Sequence, residues 1–193
     1  MLPLLPLLLC TLAFTTHAAD PKDLEKLSQL MLASNAKGLD LSKADLSNYQ
    51  FSSDKVNFKN ANLSHANLAN ANLEKVDLSS ADLSYAILTN AKLTSANFAN
   101  ANLEHANLSG ADLMSANLTN AKLNFTQLKE ANLQQANLTS ADFTCANFNN
   151  ADVSRANFSQ TIISSATFTN TITTDILNYD SVVDNRVSCS GVG

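Results

Sequence analysis

A five-residue period runs through most of this chain without an insertion. A large apolar residue recurs at every fifth position from Phe58 to Phe168, Leu or Phe at all of them except Val153 and Ile163, and the residue two positions earlier is small, usually Ala. A strict period indicates one structural unit stacked on itself, because each copy occupies the same environment as its neighbours. The chain is therefore expected to fold as a solenoid, and packing within the repeat explains most of its residues without reference to function.

The alternation inside the repeat predicts an extended chain. If the Leu or Phe is position i, then positions i−2 and i lie on the same side of an extended strand and pair one small with one large apolar residue. Position i−1 points the other way and is mostly Asn or Asp, as at Asn62, Asn72 and Asp82. Ser, Thr, Asn and Ala follow at i+1 and i+2, where they favour a turn. We therefore expect a narrow all-β tube that is filled by Ala and Leu and is polar outside.

The repeated motif A-(D/N)-L-x-x resembles the pentapeptide-repeat family over residues 56–170. Members of this family form a right-handed quadrilateral β-helix in which four repeats, one on each side of a square, complete a coil. The resemblance implies the same all-β solenoid here, so that positions twenty residues apart stack directly. About six coils at a spacing of ~4.8 Å make a rod on the order of 28 Å long.

Residues 1–18 are predicted to be an export signal. Leu2 to Phe14 is almost wholly apolar, yet this stretch is too short to span a bilayer. Small residues follow at Ala18 and Ala19, which suits cleavage after either of them. No Lys or Arg precedes the apolar run, so a buried N-terminal strand or a wrongly assigned start codon remains the alternative.

Residues 19–38 are predicted to form an N-terminal capping α-helix. Asp20 suits the N-cap, Pro21 suits the first turn, and Gly38 is the natural stop. A solenoid needs its first coil covered, because that coil otherwise exposes both core side chains and unpaired backbone. The helix is therefore expected to close the N-terminal end of the rod.

The β-helix is predicted to span residues 39–170. The step from Phe51 to Phe58 is seven residues instead of five, so two extra residues near 52–55 are expected to form a bulge or short loop. The period is lost in residues 171–193, which we call the tail. The tail is predicted to be a second cap or a strap.

One side of the predicted square differs from the other three. When the outward i+2 positions are sorted into columns twenty residues apart, three columns are polar. The fourth, which we call the aromatic column, contains His65, Tyr85, His105 and Phe125. An exposed apolar stripe often marks a contact surface, so these four residues form the candidate interaction face. A simple ladder of stacked rings, or a column covered by the tail, would explain the same pattern without a partner.

Removal of the signal leaves two cysteines, an even pair in a compartment that oxidises thiols. Cys145 follows Phe125 in the aromatic column, and Cys189 lies in the tail. We expect a Cys145–Cys189 disulfide that straps the tail over the column and buries Phe125. The apolar tail residues available to cover Phe125 are Ile176, Leu177 and Val182. Closing a loop of about 45 residues stabilises the fold by roughly 4 kcal/mol.

No catalytic, metal or cofactor site is expected. His65 and His105 lie two coils apart, about twice the ~4.8 Å strand spacing, which is too far to share a metal ion. A tube filled by side chains also leaves no pocket. The array carries eight carboxylates and six basic side chains, and no basic stripe suggests nucleic acid. The sequence thus predicts a non-enzymatic, periplasmic or secreted scaffold for a protein partner or a second copy, with no membrane insertion after signal removal.

The resemblance also supplies an alternative function. Some members of the pentapeptide-repeat family resemble duplex DNA in shape and charge and bind DNA gyrase. The predicted export signal, the net array charge of −2 and the absence of loop insertions within the array argue against that function here. Cell fractionation separates the two possibilities, because gyrase is cytoplasmic.

Overall fold

The computed structural model describes residues 39–51, 56–185 and 187–189. Backbone pairing among these residues is parallel and joins single residues rather than long strands. Pairs such as Asn62↔Asp82 lie twenty residues apart, so four five-residue repeats complete one coil. The predicted quadrilateral β-helix is therefore confirmed. The predicted signal, residues 1–18, and capping helix, residues 19–38, lie outside the described residues.

The first coil is longer than those that follow. Asp40 pairs with Asn62 and Gln50 pairs with Asn72, in both cases 22 residues apart, whereas the pairs from Asn57↔Asp77 to Asn157↔Leu177 are separated by twenty. The two extra residues therefore fall between Phe51 and the next described residue, as the sequence predicts. Residues 52–55 themselves lie outside the described part of the chain.

Small and large apolar side chains fill the tube in pairs. Ala101 and Leu103 are both 0% exposed, and the inward residues from Phe58 to Phe158 are all buried to within a few percent. Each buried Leu contributes about 1.5–3 kcal/mol. Where Thr replaces the small residue, as at Thr126, its hydroxyl donates a hydrogen bond to the backbone carbonyl of Leu103 in the coil before. Within the described residues, no buried polar side-chain atom lacks a partner, so the inward and outward assignment is confirmed.

Every backbone N–H of a typical repeat has a partner. Of the five N–H groups, one donates across the turn, one donates to a carbonyl of the coil before, and two donate to carbonyls of the coil after. The fifth N–H donates to the Asn or Asp side chain at i−1. In the repeat centred on Leu83 these bonds are Ala81 N to Leu78 O, Asp82 N to Ala61 O, Leu83 N to Asn102 O, Tyr85 N to Glu104 O and Ser84 N to Asp82 Oδ1. The polar i−1 side chain therefore holds the turn as well as facing water.

Position i+2 adopts the left-handed backbone conformation. Its φ is 59° at Asn60, 59° at His65 and 58° at Tyr85, as in the second half of a type II turn. This conformation costs a residue other than Gly roughly 1–2 kcal/mol, and Asn tolerates it better than most. The requirement explains why Asn is common at i+2, and it makes the His and aromatic residues there more unusual.

The coil continues past the predicted boundary at residue 170. The last bridges are Asp152↔Ile172, Asn157↔Leu177 and Ile162↔Val183. A 3₁₀ helix, Tyr179–Ser181, joins the last two of these pairs. No helix in the described residues has the length and apolar character needed to cross a bilayer.

The path of the tail corrects one expectation. Ile176, Leu177 and Val182 were predicted to cover Phe125, but the structure continues the coil with them, stacked on residues 157–163. The unpaired edge of the preceding coil offers backbone hydrogen bonds, which outward-facing rings cannot supply. Residues 172–183 therefore extend the rod instead of running back along its side, and the prediction that Ile176, Leu177 and Val182 cover Phe125 is wrong.

Candidate interaction face

The rings of the aromatic column form one continuous stack. Ring centroids are 4.9 Å apart between His65 and Tyr85, 4.6 Å between Tyr85 and His105, and 4.9 Å between His105 and Phe125. The corresponding interplanar angles are 6°, 13° and 6°. The spacing follows that of the strands, because each ring leaves an equivalent turn one coil further along.

The stack presents ring edges to solvent. Tyr85 is 49% exposed and His65 is also exposed, whereas His105 and Phe125 are half-buried. Neighbouring rings cover one another's faces, so a partner meets the edges, the Tyr hydroxyl and the imidazole nitrogens. These edges combine apolar contact with hydrogen bonding, which is typical of side chains at protein interfaces.

Ile87 belongs to the same surface, although the sequence analysis did not single it out. Ile87 is 44% exposed and follows Tyr85 by two residues, with buried Ala86 between them. Ile87 is the i−1 residue of its repeat, and the equivalent residues are Asn67 in the coil before and Asn107 in the coil after. Sorting the i−1 positions into columns, and not only the i+2 positions, would have found it.

The exposed Ile comes at a cost in hydrogen bonding. Asn67 accepts a hydrogen bond from the backbone N–H of Ala69, its i+1 neighbour, at 3.2 Å. Ile87 has no acceptor to offer the corresponding N–H of Thr89. The chain thus lacks a turn-holding amide two residues after the exposed Tyr85.

An open groove of about 490 Å³ lies beside the upper half of the aromatic column. It is lined by Glu104, His105, Lys122, Asn124, Phe125 and Asp142. Charges of both signs meet there, which suits a polar partner surface better than a nucleic acid. Across the described part of the chain, no three His, Cys, Asp or Glu side chains are grouped to hold a metal ion.

Cys145 continues the column one coil beyond Phe125 and is joined to Cys189 by a disulfide. Their Cα atoms are 5.8 Å apart. Cys145 is half-buried and Cys189 is exposed. The bond therefore anchors the end of the chain at the top of the column and leaves Tyr85 and Ile87 uncovered.

Comparison with known proteins places the chain in one family. A family model for pentapeptide repeats matches residues 57–94, 96–135 and 121–160, with eight copies of its motif. The chain matches no curated protein sequence. These matched residues include the whole aromatic column and its flanking groove.

Solved structures of similar chains include two pentapeptide-repeat proteins and one fluoroquinolone resistance protein. One, from the Arabidopsis thaliana thylakoid lumen, is 29% identical with a TM-score of 0.43, and the match covers 51% of this chain and 65% of that chain, less than two thirds of its length. HetL, involved in heterocyst differentiation regulation in Nostoc, is 27% identical with a TM-score of 0.34, covering 83% and 95%. A plasmid-mediated fluoroquinolone resistance protein is 21% identical with a TM-score of 0.36, covering 73% and 79%.

Proposed function

Because the chain belongs to the pentapeptide-repeat family, we propose that it is a non-enzymatic, rigid scaffold that binds a protein partner through the aromatic column and Ile87. The observation that carries the proposal is the pair Tyr85 and Ile87, two large side chains that are two residues apart and are 49% and 44% exposed. Exposed apolar clusters framed by polar residues mark contact surfaces.

The rod suits this role because its binding face is already ordered. The side chains leave turns that are held by backbone bonds between coils, and the rings support one another in a stack. A partner therefore immobilises few additional torsions on binding, which lowers the entropic cost of association. Tyr is among the residues that dominate binding energy at interfaces, and the surrounding amides can exclude water from its contacts.

Export is part of the proposal, and two observations support it. Residues 1–18 have the apolar run and small-residue end of a cleaved signal. The Cys145–Cys189 disulfide suits an oxidising compartment, because such bonds are rare in the reducing cytosol. Mimicry of DNA against gyrase would instead require a cytoplasmic protein, and the array has a net charge of only −2.

The substitution Ile87→Asn separates a binding role from a structural one. The new amide would accept the N–H of Thr89 and bridge the amides of Asn67 and Asn107, so the free energy of unfolding should rise by about 1 kcal/mol. Binding to the partner recovered by pull-down with the mature protein should fall by about tenfold or more, because an apolar contact is lost. Calorimetric or surface-based titration of wild type and variant, with parallel urea unfolding, measures both quantities.

Lys92→Asn provides the matched control. Lys92 is exposed at the i−1 position of the next side of the square, so its replacement introduces the same amide at an equivalent position away from the aromatic column. The control should gain similar stability and bind the partner as wild type does. Equal binding by the Ile87 variant and wild type would show that this face is not the contact surface.

A further inference from the structure

Residues 182–185 and 187–189, which we call the closing segment, cover one edge of the last coil. The N–H of Val183 donates to the carbonyl of Thr161 at 2.9 Å, and the N–H of Ile163 donates to the carbonyl of Val183 at 2.9 Å. This pair of bonds continues the ladder of the rod by one further position. The segment thus begins as regular β structure.

Beyond Val183 the attachment changes character. The N–H of Asn185 donates to Ser164 Oγ at 3.0 Å, and the N–H of Val187 donates to Ser165 Oγ at 2.9 Å. The same Ser165 hydroxyl donates to the carbonyl of Val187 at 2.6 Å. Serine hydroxyls replace the backbone partners of the ladder, and Asn185 and Val187 are exposed, so water competes for these bonds.

We propose that the Cys145–Cys189 disulfide is a redox switch that holds the closing segment on the last coil. Reduction by a dithiol protein releases the segment and uncovers the strand edge at residues 161–165. The disulfide is the covalent anchor at the far end of a segment in which serine side chains, and not backbone carbonyls, accept the N–H groups of Asn185 and Val187. The inference does not rest on the proposed function of the aromatic column.

Thiol–disulfide exchange supplies the chemistry. A thiolate of the reductant attacks the sulfur of Cys189, which is the exposed partner, and the sulfur–sulfur bond breaks. Cys145 leaves as a thiolate and takes up a proton. The second thiol of the reductant then attacks the mixed disulfide and frees Cys189. Two electrons pass from the dithiol, which becomes a disulfide, to the two protein cysteines, which become thiols.

Release of the segment would change the end of the rod. The carbonyl of Thr161 and the N–H of Ile163 would lose their partners and form an open strand edge, a structure that pairs readily with other chains. The edge is continuous with an apolar side where Phe168 stacks on Phe148 with centroids 4.8 Å apart and Ile172 is 51% exposed. The switch therefore controls whether this end of the solenoid is available to pair with another strand.

Limited trypsin digestion tests the switch, because Arg186 is the last basic residue and no other Lys or Arg follows Arg155. Cleavage requires local opening, so its rate reports the open population. Trypsin should cut after Arg186 at least about tenfold faster in the reduced protein than in the oxidised protein, and the reduced protein then loses residues 187–193. Intact mass under non-reducing conditions detects a cut in the oxidised protein as the addition of one water, because the peptide stays tethered through Cys189.

Two further measurements keep the test decisive. Cys189→Ser should be cut at the fast rate with or without reductant. Hydrogen exchange at the amides of Ile163 and Val183 should accelerate on reduction, while the amide of Leu103 in the middle of the rod should not change. Equal cleavage and exchange in oxidised and reduced protein, or slow cleavage of Cys189→Ser, would overturn the proposal, because the non-covalent contacts would then hold the segment without the disulfide.

Discussion

At the scale of single residues, the i−1 side chain has two tasks. Asn102 shows both of them: its Oδ1 accepts the N–H of Glu104 at 3.2 Å, and its Nδ2 donates to Asp82 Oδ1 at 3.1 Å. The first bond holds the turn, and the second ties one coil to the coil before. Asn and Asp are therefore selected by bond geometry and not only by exposure to water.

A charge placed at adjacent positions should have very different effects. Leu103→Asp should abolish folding, because Leu103 is 0% exposed and an unpaired carboxylate would lie in a dry core. Asn102→Asp should fold and lose only about 1 kcal/mol, because it keeps the acceptor for Glu104 but faces the carboxylate of Asp82. Circular dichroism and urea unfolding measure both variants. Equal tolerance of the two changes would contradict the inward and outward assignment.

At the scale of the repeat, the fold should tolerate a deletion of five residues better than a deletion of one. Deleting residues 91–95 removes one complete side of a coil, so each later residue keeps its inward or outward direction. Deleting Ser95 alone shifts the register, and every later side chain must find a new environment. The first variant should melt cooperatively about 5–10 °C below wild type. The second should show no cooperative melt.

The two deletion variants can be compared by thermal melts followed by circular dichroism. The five-residue deletion also places Tyr85 and His105 on adjacent sides of the square, so it should split the aromatic column and weaken partner binding while the fold survives. A five-residue deletion that unfolds the chain, or a single deletion that melts as the wild type does, would contradict the repeat as the structural unit.

The repeat also shows how far the sequence could predict the structure. Periodicity predicted the inward pairing of Ala101 with Leu103 and the extra residues after Phe51, because both depend on spacing alone. Four repeats per coil followed only from the family resemblance. The bond from a side chain to its own turn, and thus the meaning of Ile87, depends on backbone geometry that the pattern does not specify. The path of Val183 could not be predicted because the tail has no period and its position follows from an edge available only in the folded rod.

At the scale of the whole molecule, the residues that the structure describes form one rod. Each coil pairs with the next through the described array, and a single core runs its length. Stability is therefore a sum of similar steps, as in other solenoids. The ends are the exceptions, and at the C-terminal end the disulfide takes part in closing the fold.

Export predicts a defined N-terminus for the mature rod. Protein recovered from the periplasm or the medium should begin at Ala19 or Asp20, because cleavage follows small residues. Intact mass and N-terminal sequencing of the unreduced protein provide the measurement. Material in the cytoplasm that retains residues 1–18 would contradict export and would favour the cytoplasmic, gyrase-binding alternative.

The account depends most on the claim that residues twenty apart stack, and spin labels test this claim directly. Labels at Asn100→Cys and Asn120→Cys should show strong spin–spin broadening, because the two backbones lie about 4.8 Å apart on one side of the rod. Labels at Asn120→Cys and Glu130→Cys are closer in sequence but lie on opposite sides, more than about 10 Å apart, and should give narrow lines. All three positions are exposed, and the native disulfide stays oxidised during labelling. Broader lines from the pair ten residues apart, or equal lines from both pairs, would contradict the four-repeat coil.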